Sequence, residues 1–162
     1  MKIKFEHRNR YRIGVISDTH GSVPQGVSKA FHEVDLIIHA GDIGEQTVLE
    51  KLSKIAPLVA VRGNMDFGKW TRQLPETEMI EIGQIVLYVR HIPSRLDADS
   101  AKTNIRAVIN GHTHRPDVYE KNGIMFINPG SAAYPKFGQP ASAALIQITG
   151  DDLNVKLIRL KD

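Results

Sequence analysis

The chain has no cysteine among its 162 residues. That excludes a disulfide framework and any thiolate ligand, so a bound metal must be held by oxygen and nitrogen donors from Asp, Glu, Asn and His. No apolar run approaches the roughly 20 residues needed to cross a bilayer, and the opening MKIKFEHRNRYR lacks the apolar centre of a signal peptide. No membrane association and a cytoplasmic location are the expectations. Repeats, low-complexity stretches and long linkers are also missing, so residues 1–162 are expected to form one domain. With 41% hydrophobic and 24% charged residues, the composition disfavours disordered and collagen-like classes.

An excess of one charge is likewise missing from most of the chain. The formal charge is +3, but residues 1–12 hold Lys2, Lys4, Arg8, Arg10 and Arg12 against Glu6 alone, a net of +4. The remainder carries 16 basic and 17 acidic residues. Residues 1–11 therefore read as a basic N-terminal extension, and the body has no general nucleic-acid footprint.

Hydrophobic patterning gives the elements. Residues 12–17 form an apolar run of the kind found in a buried strand. Ser22 and Gln25 are spaced as a capping box with Pro24 in the first turn, and Val27, Ala30, Phe31 and Val34 follow at helical spacing. A strand at 35–40, a helix near 45–55 and a strand at 58–62 repeat the pattern, so two βαβ units predict a parallel sheet. Strand-like runs then follow at 79–82, 85–89, 107–110, 117–119, 124–127, 142–148 and 153–160. Short turns at Lys121-Asn122-Gly123 and Gly150-Asp151-Asp152 favour antiparallel hairpins. Residues 93–106 read as a polar surface excursion, helical from Ser94 onward. The reading is an α/β half followed by a β-rich half, with two sheets.

Polar residues with metal-binding chemistry fall at the strand ends. Asp18 and His20 follow the first strand, Asp42 the second and Asn64 the third. In parallel sheets the loops at the carboxyl ends of strands converge on one crevice. Gly41 and Gly63 precede two of these residues and permit tight turns. Gly111-His112-Thr113-His114 follows a later strand, and in extended backbone both imidazoles would point the same way. His91 ends another strand. Two carboxylates, one amide and four imidazoles suit Mn, Fe, Zn, Co or Ni rather than calcium. Each motif alone has an ordinary turn or surface explanation; their joint occurrence at strand ends does not.

These residues resemble the calcineurin-like metallophosphoesterases, within them the small bacterial and archaeal phosphodiesterase branch related to the retromer scaffold subunit. The resemblance spans about residues 12–160. It is carried by Ile16-Ser17-Asp18-Thr19-His20-Gly21, His39-Ala40-Gly41-Asp42, Val61-Arg62-Gly63-Asn64-Met65-Asp66, Gly111-His112-Thr113-His114 and Ile127-Asn128-Pro129-Gly130-Ser131. It implies a four-layer α/β/β/α sandwich with two mixed sheets and two divalent metal ions at one edge, manganese first, with Fe, Zn, Ni or Co as alternatives. Asp18, His20 and His114 would hold one ion, Asn64, His91 and His112 the other, and Asp42 would bridge. Such a pair, about 3.5–4 Å apart, activates a bridging water as hydroxide and clamps the phosphoryl oxygens, so no protein nucleophile is required.

The chain departs from the family in three places. Met65 stands where many members have a His after the Asn, and a thioether can neither protonate a leaving group nor steady a phosphoryl oxygen. Small phosphodiesters and nucleotide-like or activated esters are therefore the expected substrates. Arg90-His91-Ile92-Pro93 replaces the usual HGH, and the stretch from there to His112 is shorter than in typical relatives. About ten extra residues precede the usual start, as an added edge strand or a tail.

Among other candidates, His39 lies in an apolar run and reads as a core histidine able to orient Asp42 or Asp18. His7 and His32 read as surface residues, and Asp66 as support for the ligands or a turn residue. The amides of Asn128-Pro129-Gly130-Ser131 could border the phosphate, Trp70 and Phe67 could stack on a base, and Arg62 and Lys136 are candidates for phosphate contact. A catalytically weak scaffold or protein-binding module of the same fold is the alternative function, and a nuclease the third. Homo-oligomerisation stays open.

Overall fold

The computed structural model describes residues 9–94 and 104–161. Three expectations lie outside them: the edge strand or tail at the N-terminus, the surface position of His7, and the helix from Ser94 onward.

Among the described residues ten strands form two five-stranded sheets. In the first, β1 (Arg10–Ile16), β2 (Leu36–His39) and β3 (Leu58–Ala60) run parallel in that order. The last two strands, β9 (Ser142–Thr149) and β10 (Asp152–Arg159), return to pair antiparallel along the free edge of β1. The division into an α/β half and a β-rich half is therefore one of sequence only. In the second sheet, β5 (Ile85–Arg90), β6 (Ile105–Ile109) and β8 (Ile124–Pro129) are parallel. They are flanked by the antiparallel strands β4 (Thr77–Ile82) and β7 (Pro116–Lys121). The two sheets are thus both mixed. β1 begins at Arg10, opposite Thr149, so the last residues assigned to the basic extension belong to the fold.

Alternation along the strands builds the core. Ile13 and Val15 of β1, Leu36 and Ile38 of β2, Leu87 and Val89 of β5, Ala107 and Ile109 of β6 and Ile146 of β9 meet between the sheets. The opposite face of the first sheet carries Ile16 and Ile37. It packs against Val27 and Phe31 around α1 (Gly26–Ala30) and against Val48 and Leu52 of α2 (Gln46–Ser53). The α1 helix is shorter than the periodicity predicts, and its expected capping box does not form: Gln25 is itself helical and caps nothing with its side chain. Burial of Phe31, not the cap, holds the segment; the ring lies so close to Gly14 that a Cβ there would sit 2.8 Å from it. Among the described residues no helix is long and apolar enough to cross a membrane, and none covers the outer face of the second sheet, where Tyr88, Ile105 and Val108 cluster.

This topology sends six parallel strands, three per sheet, to one edge of the molecule. The loop hydrogen bonds show the two sets meeting: Ala132 N–H donates to the Ser17 carbonyl at 3.1 Å and the His91 imidazole to the Ala40 carbonyl at 2.8 Å.

Candidate metal centre

Pairing continues past the ends of β1 and β2. Asp18, His20 and Gly21 donate their amides to the carbonyls of Gly41, Asp42 and Ile43 at 3.0, 3.1 and 2.8 Å. This ladder places the Asp18, His20 and Asp42 side chains on one rim. The backbone is bent sharply to do so. Asp18, His20, Asp42, His112 and His114 all have positive φ, between 44° and 71°. That region costs a residue with a Cβ about 1–2 kcal/mol. Such conformations at five of the seven candidate ligands are a structural mark of a functional site.

The side chains converge as two groups. Donor atoms of Asp18, His20 and His114 lie within 4.8 Å of one another, as do those of Asp42, His91 and His112. His114 Nε2 is 3.2 Å from Asp18 Oδ1, and His91 Nε2 is 3.2 Å from Asp42 Oδ2. His20 Nε2 stands 3.9 Å from both carboxylates, at the junction of the groups. Asn64 Oδ1 is 3.1 Å from His112 Nδ1, which brings the amide to the second group. The geometry corrects the expectation for the His-Thr-His pair. With left-handed backbone at both positions, His112 and His114 diverge, one into each group.

Four of the ligand-type side chains, Asp18, Asp42, His91 and His114, are held from behind. Ser17 Oγ and the His112 amide donate to Asp18 Oδ2 at 2.6 and 3.1 Å. The Met65 amide donates to Asp42 Oδ1 at 2.9 Å. His91 Nδ1–H donates to the Ala40 carbonyl at 2.8 Å, and His114 Nδ1–H to that of Tyr134 at 2.7 Å. Both rings thereby turn Nε2 toward the shared space. Two of the inward atoms, Asp18 Oδ1 and His91 Nε2, are buried with no hydrogen-bond partner. A buried carboxylate oxygen and a buried imidazole nitrogen left so are costly unless something else satisfies them. A divalent cation fits both, and this donor set of carboxylate, amide and imidazole suits one. Burial tends to raise the Asp42 carboxyl, but the nearby His91 imidazole and the Met65 amide outweigh it and hold it below the usual value. Burial would lower His91, yet Asp42 and Asp18 raise it instead.

Two glycines are required by close approach. A Cβ on Gly63 would stand 2.2 Å from Asp42 Oδ1, and one on Gly111 would stand 2.0 Å from Ser17 Oγ. Any side chain at either position displaces a carboxylate or the hydroxyl that holds one.

The remaining candidates separate clearly. His39 touches neither carboxylate. Gly41 N–H donates to its Nδ1 at 3.1 Å, so the ring proton is on Nε2, which donates to Thr19 Oγ1 at 2.9 Å; Thr19 donates onward to the Ile43 carbonyl at 2.9 Å. Burial, reinforced by His91, pushes the His39 pKa down to about 3, and the neutral ring braces the loops. Asp66 does similar work with a charge, accepting from the Gly44 and Gly63 amides at 2.9 and 2.8 Å. Within Asn128–Ser131 the Gly130 N–H is taken up by Asn128 Oδ1, at 3.0 Å. Asn128 also ties down Gly111 and Thr113, and Ser131 Oγ donates to the Asp18 carbonyl at 2.7 Å. Trp70 packs with the helices, whereas Phe67 is exposed beside the site. Arg62 is paired with Glu76, Lys136 is exposed beyond Tyr134, and His32 is an exposed residue of the α1 turn.

Sequence reasoning overlooked Ser17, Ser131 and Arg90. The buried Arg90 guanidinium joins Asn110 to Ser94 on either side of His91. A charged residue closing the otherwise apolar strand β5 was the available signal.

Comparison with known proteins agrees with this architecture. Residues 11–151 match the calcineurin-like phosphoesterase superfamily domain. The chain is 36% identical to a probable metallophosphoesterase of Methanothermobacter thermautotrophicus over 91% of both chains. It is 28% identical to the phosphodiesterase YfcE of Escherichia coli K12, over 80% of this chain and 84% of that one. The structure of vacuolar protein sorting 29 from Cryptosporidium parvum superimposes with a TM-score of 0.73 at 21% identity, covering 92% of this chain and 97% of that one, a likeness of fold alone. With its two mixed sheets, its rim of Asp, Asn and His at their shared edge and a family match over most of its length, the chain belongs to the calcineurin-like phosphoesterase superfamily.

Proposed function

We propose that the protein is a dinuclear metal-dependent phosphodiesterase acting on small phosphodiester or nucleotide-like substrates, with residues 1–162 forming a single catalytic domain. As a member of its superfamily it is a hydrolase acting on ester bonds. The observation that carries the finer reading is the pair of side-chain groups with two buried, unpartnered atoms, Asp18 Oδ1 and His91 Nε2, aimed into the space between them.

In this reading Asp18, His20 and His114 hold one ion, Asn64, His91 and His112 the second, and Asp42 serves both. Divalent ions there, manganese first, supply Lewis acidity and lower the pKa of water, so hydrolysis needs no protein nucleophile. The chain's own work is positional. Ser17 and the His112 amide keep Asp18 Oδ1 free, and the Ala40 and Tyr134 carbonyls fix the tautomers of His91 and His114. Met65 offers an exposed thioether that cannot donate a proton to a leaving group. Substrates whose leaving groups need little protonation follow from that.

The test is release of nitrophenolate from bis(4-nitrophenyl) phosphate, expected with Mn²⁺ and abolished by chelation. Protein that binds two metal ions per chain and releases none would overturn the reading.

A further inference from the structure

A cleft of about 550 Å³ opens directly beside the second side-chain group, with Asn64 and His91 on its wall. Its size falls within the roughly 300–1,000 Å³ of small-molecule pockets. Two large apolar side chains stand in water at this cleft: Phe67, 71% exposed, and Ile92, 48% exposed. They are three residues after Asn64 and one after His91, so both are tied to candidate ligands by very short segments. An exposed aromatic ring at a site rim gains by stacking against a planar partner. On the polar side of the cleft Arg62 is ion-paired with Glu76 at 2.8 Å, and the Arg90 guanidinium donates to Asn110 and Ser94. Among the described residues lining the cleft, Arg62 and Arg90 are the only Lys or Arg, too few for a basic track along a polymer backbone. Glu76, with its side chain 77% exposed, remains able to accept a hydrogen bond from an N–H or O–H.

We propose that this cleft is a base subsite, seating the nucleobase of a mononucleoside phosphodiester against Phe67 while the phosphate lies at the rim of Asp and His side chains. The assignment rests on the phosphodiesterase reading and narrows its substrate class. It also separates Phe67 from Trp70, which is packed among the helices and takes no part.

Two diesters with one leaving group test it: the 4-nitrophenyl ester of thymidine 5′-phosphate and methyl 4-nitrophenyl phosphate. With Mn²⁺-loaded protein the ratio of their kcat/KM values is expected to favour the nucleoside by about tenfold or more, and Phe67→Ala is expected to remove most of that preference, with Phe67→Tyr restoring it. Calorimetry on the same proteins, titrated with thymidine 5′-phosphate and with methyl phosphate, should show tighter binding of the nucleotide to the wild type and to Phe67→Tyr but not to Phe67→Ala. A ratio near one, or a preference and binding difference untouched by Phe67→Ala, would overturn the subsite. If neither ester is hydrolysed by protein carrying two metal ions, the phosphodiesterase reading fails separately, and the calorimetric comparison still decides the subsite.

Discussion

Ser17 Oγ donates to Asp18 Oδ2 at 2.6 Å, while the other carboxylate oxygen, Oδ1, has no hydrogen-bond partner. The hydroxyl therefore decides which oxygen faces the site. Ser17→Ala leaves the Asp18 carboxylate with the His112 amide as its only hydrogen-bond donor among the described residues. Removing a group that orients a metal ligand typically costs 10–100-fold in affinity. Calorimetric titration with Mn²⁺ should show a weakening in that range with the fold unchanged by circular dichroism; wild-type affinity would mean that Ser17 merely fills space.

Asp66 joins the loops after β2 and β3 through two backbone amides. Asp66→Ala leaves both donors without their acceptor, each worth about 1–3 kcal/mol when buried. The expected loss is about 2–4 kcal/mol in urea unfolding, with Asp66→Asn intermediate because its amide retains one acceptor oxygen. A loss below about 0.5 kcal/mol would mean that the loops hold without it.

His39 supplies a pH dependence of known sign. In the unfolded chain its imidazole takes up a proton below its ordinary value of 6.5, whereas in the fold it resists protonation down to about 3. Its contribution to stability is thus intact above pH 6.5 and is lost as the pH falls toward 3, at up to about 1.4 kcal/mol per pH unit. Urea unfolding of chelator-treated protein between pH 6 and 4 should show a shallower slope for His39→Gln than for the wild type. Equal slopes would place a proton on the folded ring.

Much of this rim was legible before any fold was known, because each ligand-type residue follows an apolar run and strand ends are where polar side chains can gather. Asp18, Asp42 and Asn64 announce themselves this way. His91 was harder, since Ile92 and Pro93 replace the small and imidazole residues expected beside it. Its place follows from a contact 51 residues away, with the Ala40 carbonyl. The supports were invisible for the same reason. Ser131 reaches Asp18 across 113 residues, and no local pattern encodes that distance. The return of β9 and β10 to the first sheet is also long-range, as hairpin turns specify neighbours but not which free edge the hairpin will occupy. The assignment of His112 and His114 to different groups came from the family resemblance; period-two reasoning missed it because it assumes extended backbone, and the backbone there is left-handed.

That left-handed backbone sets selection for chemistry against selection for stability. Glycine at His20, His112 or His114 would relax the chain at that point while removing a ligand-type side chain. A library screened only for heat resistance would therefore drift toward variants that keep both sheets and lose their imidazoles. Asp and His at such costly positions hold the site's chemistry at the expense of the backbone.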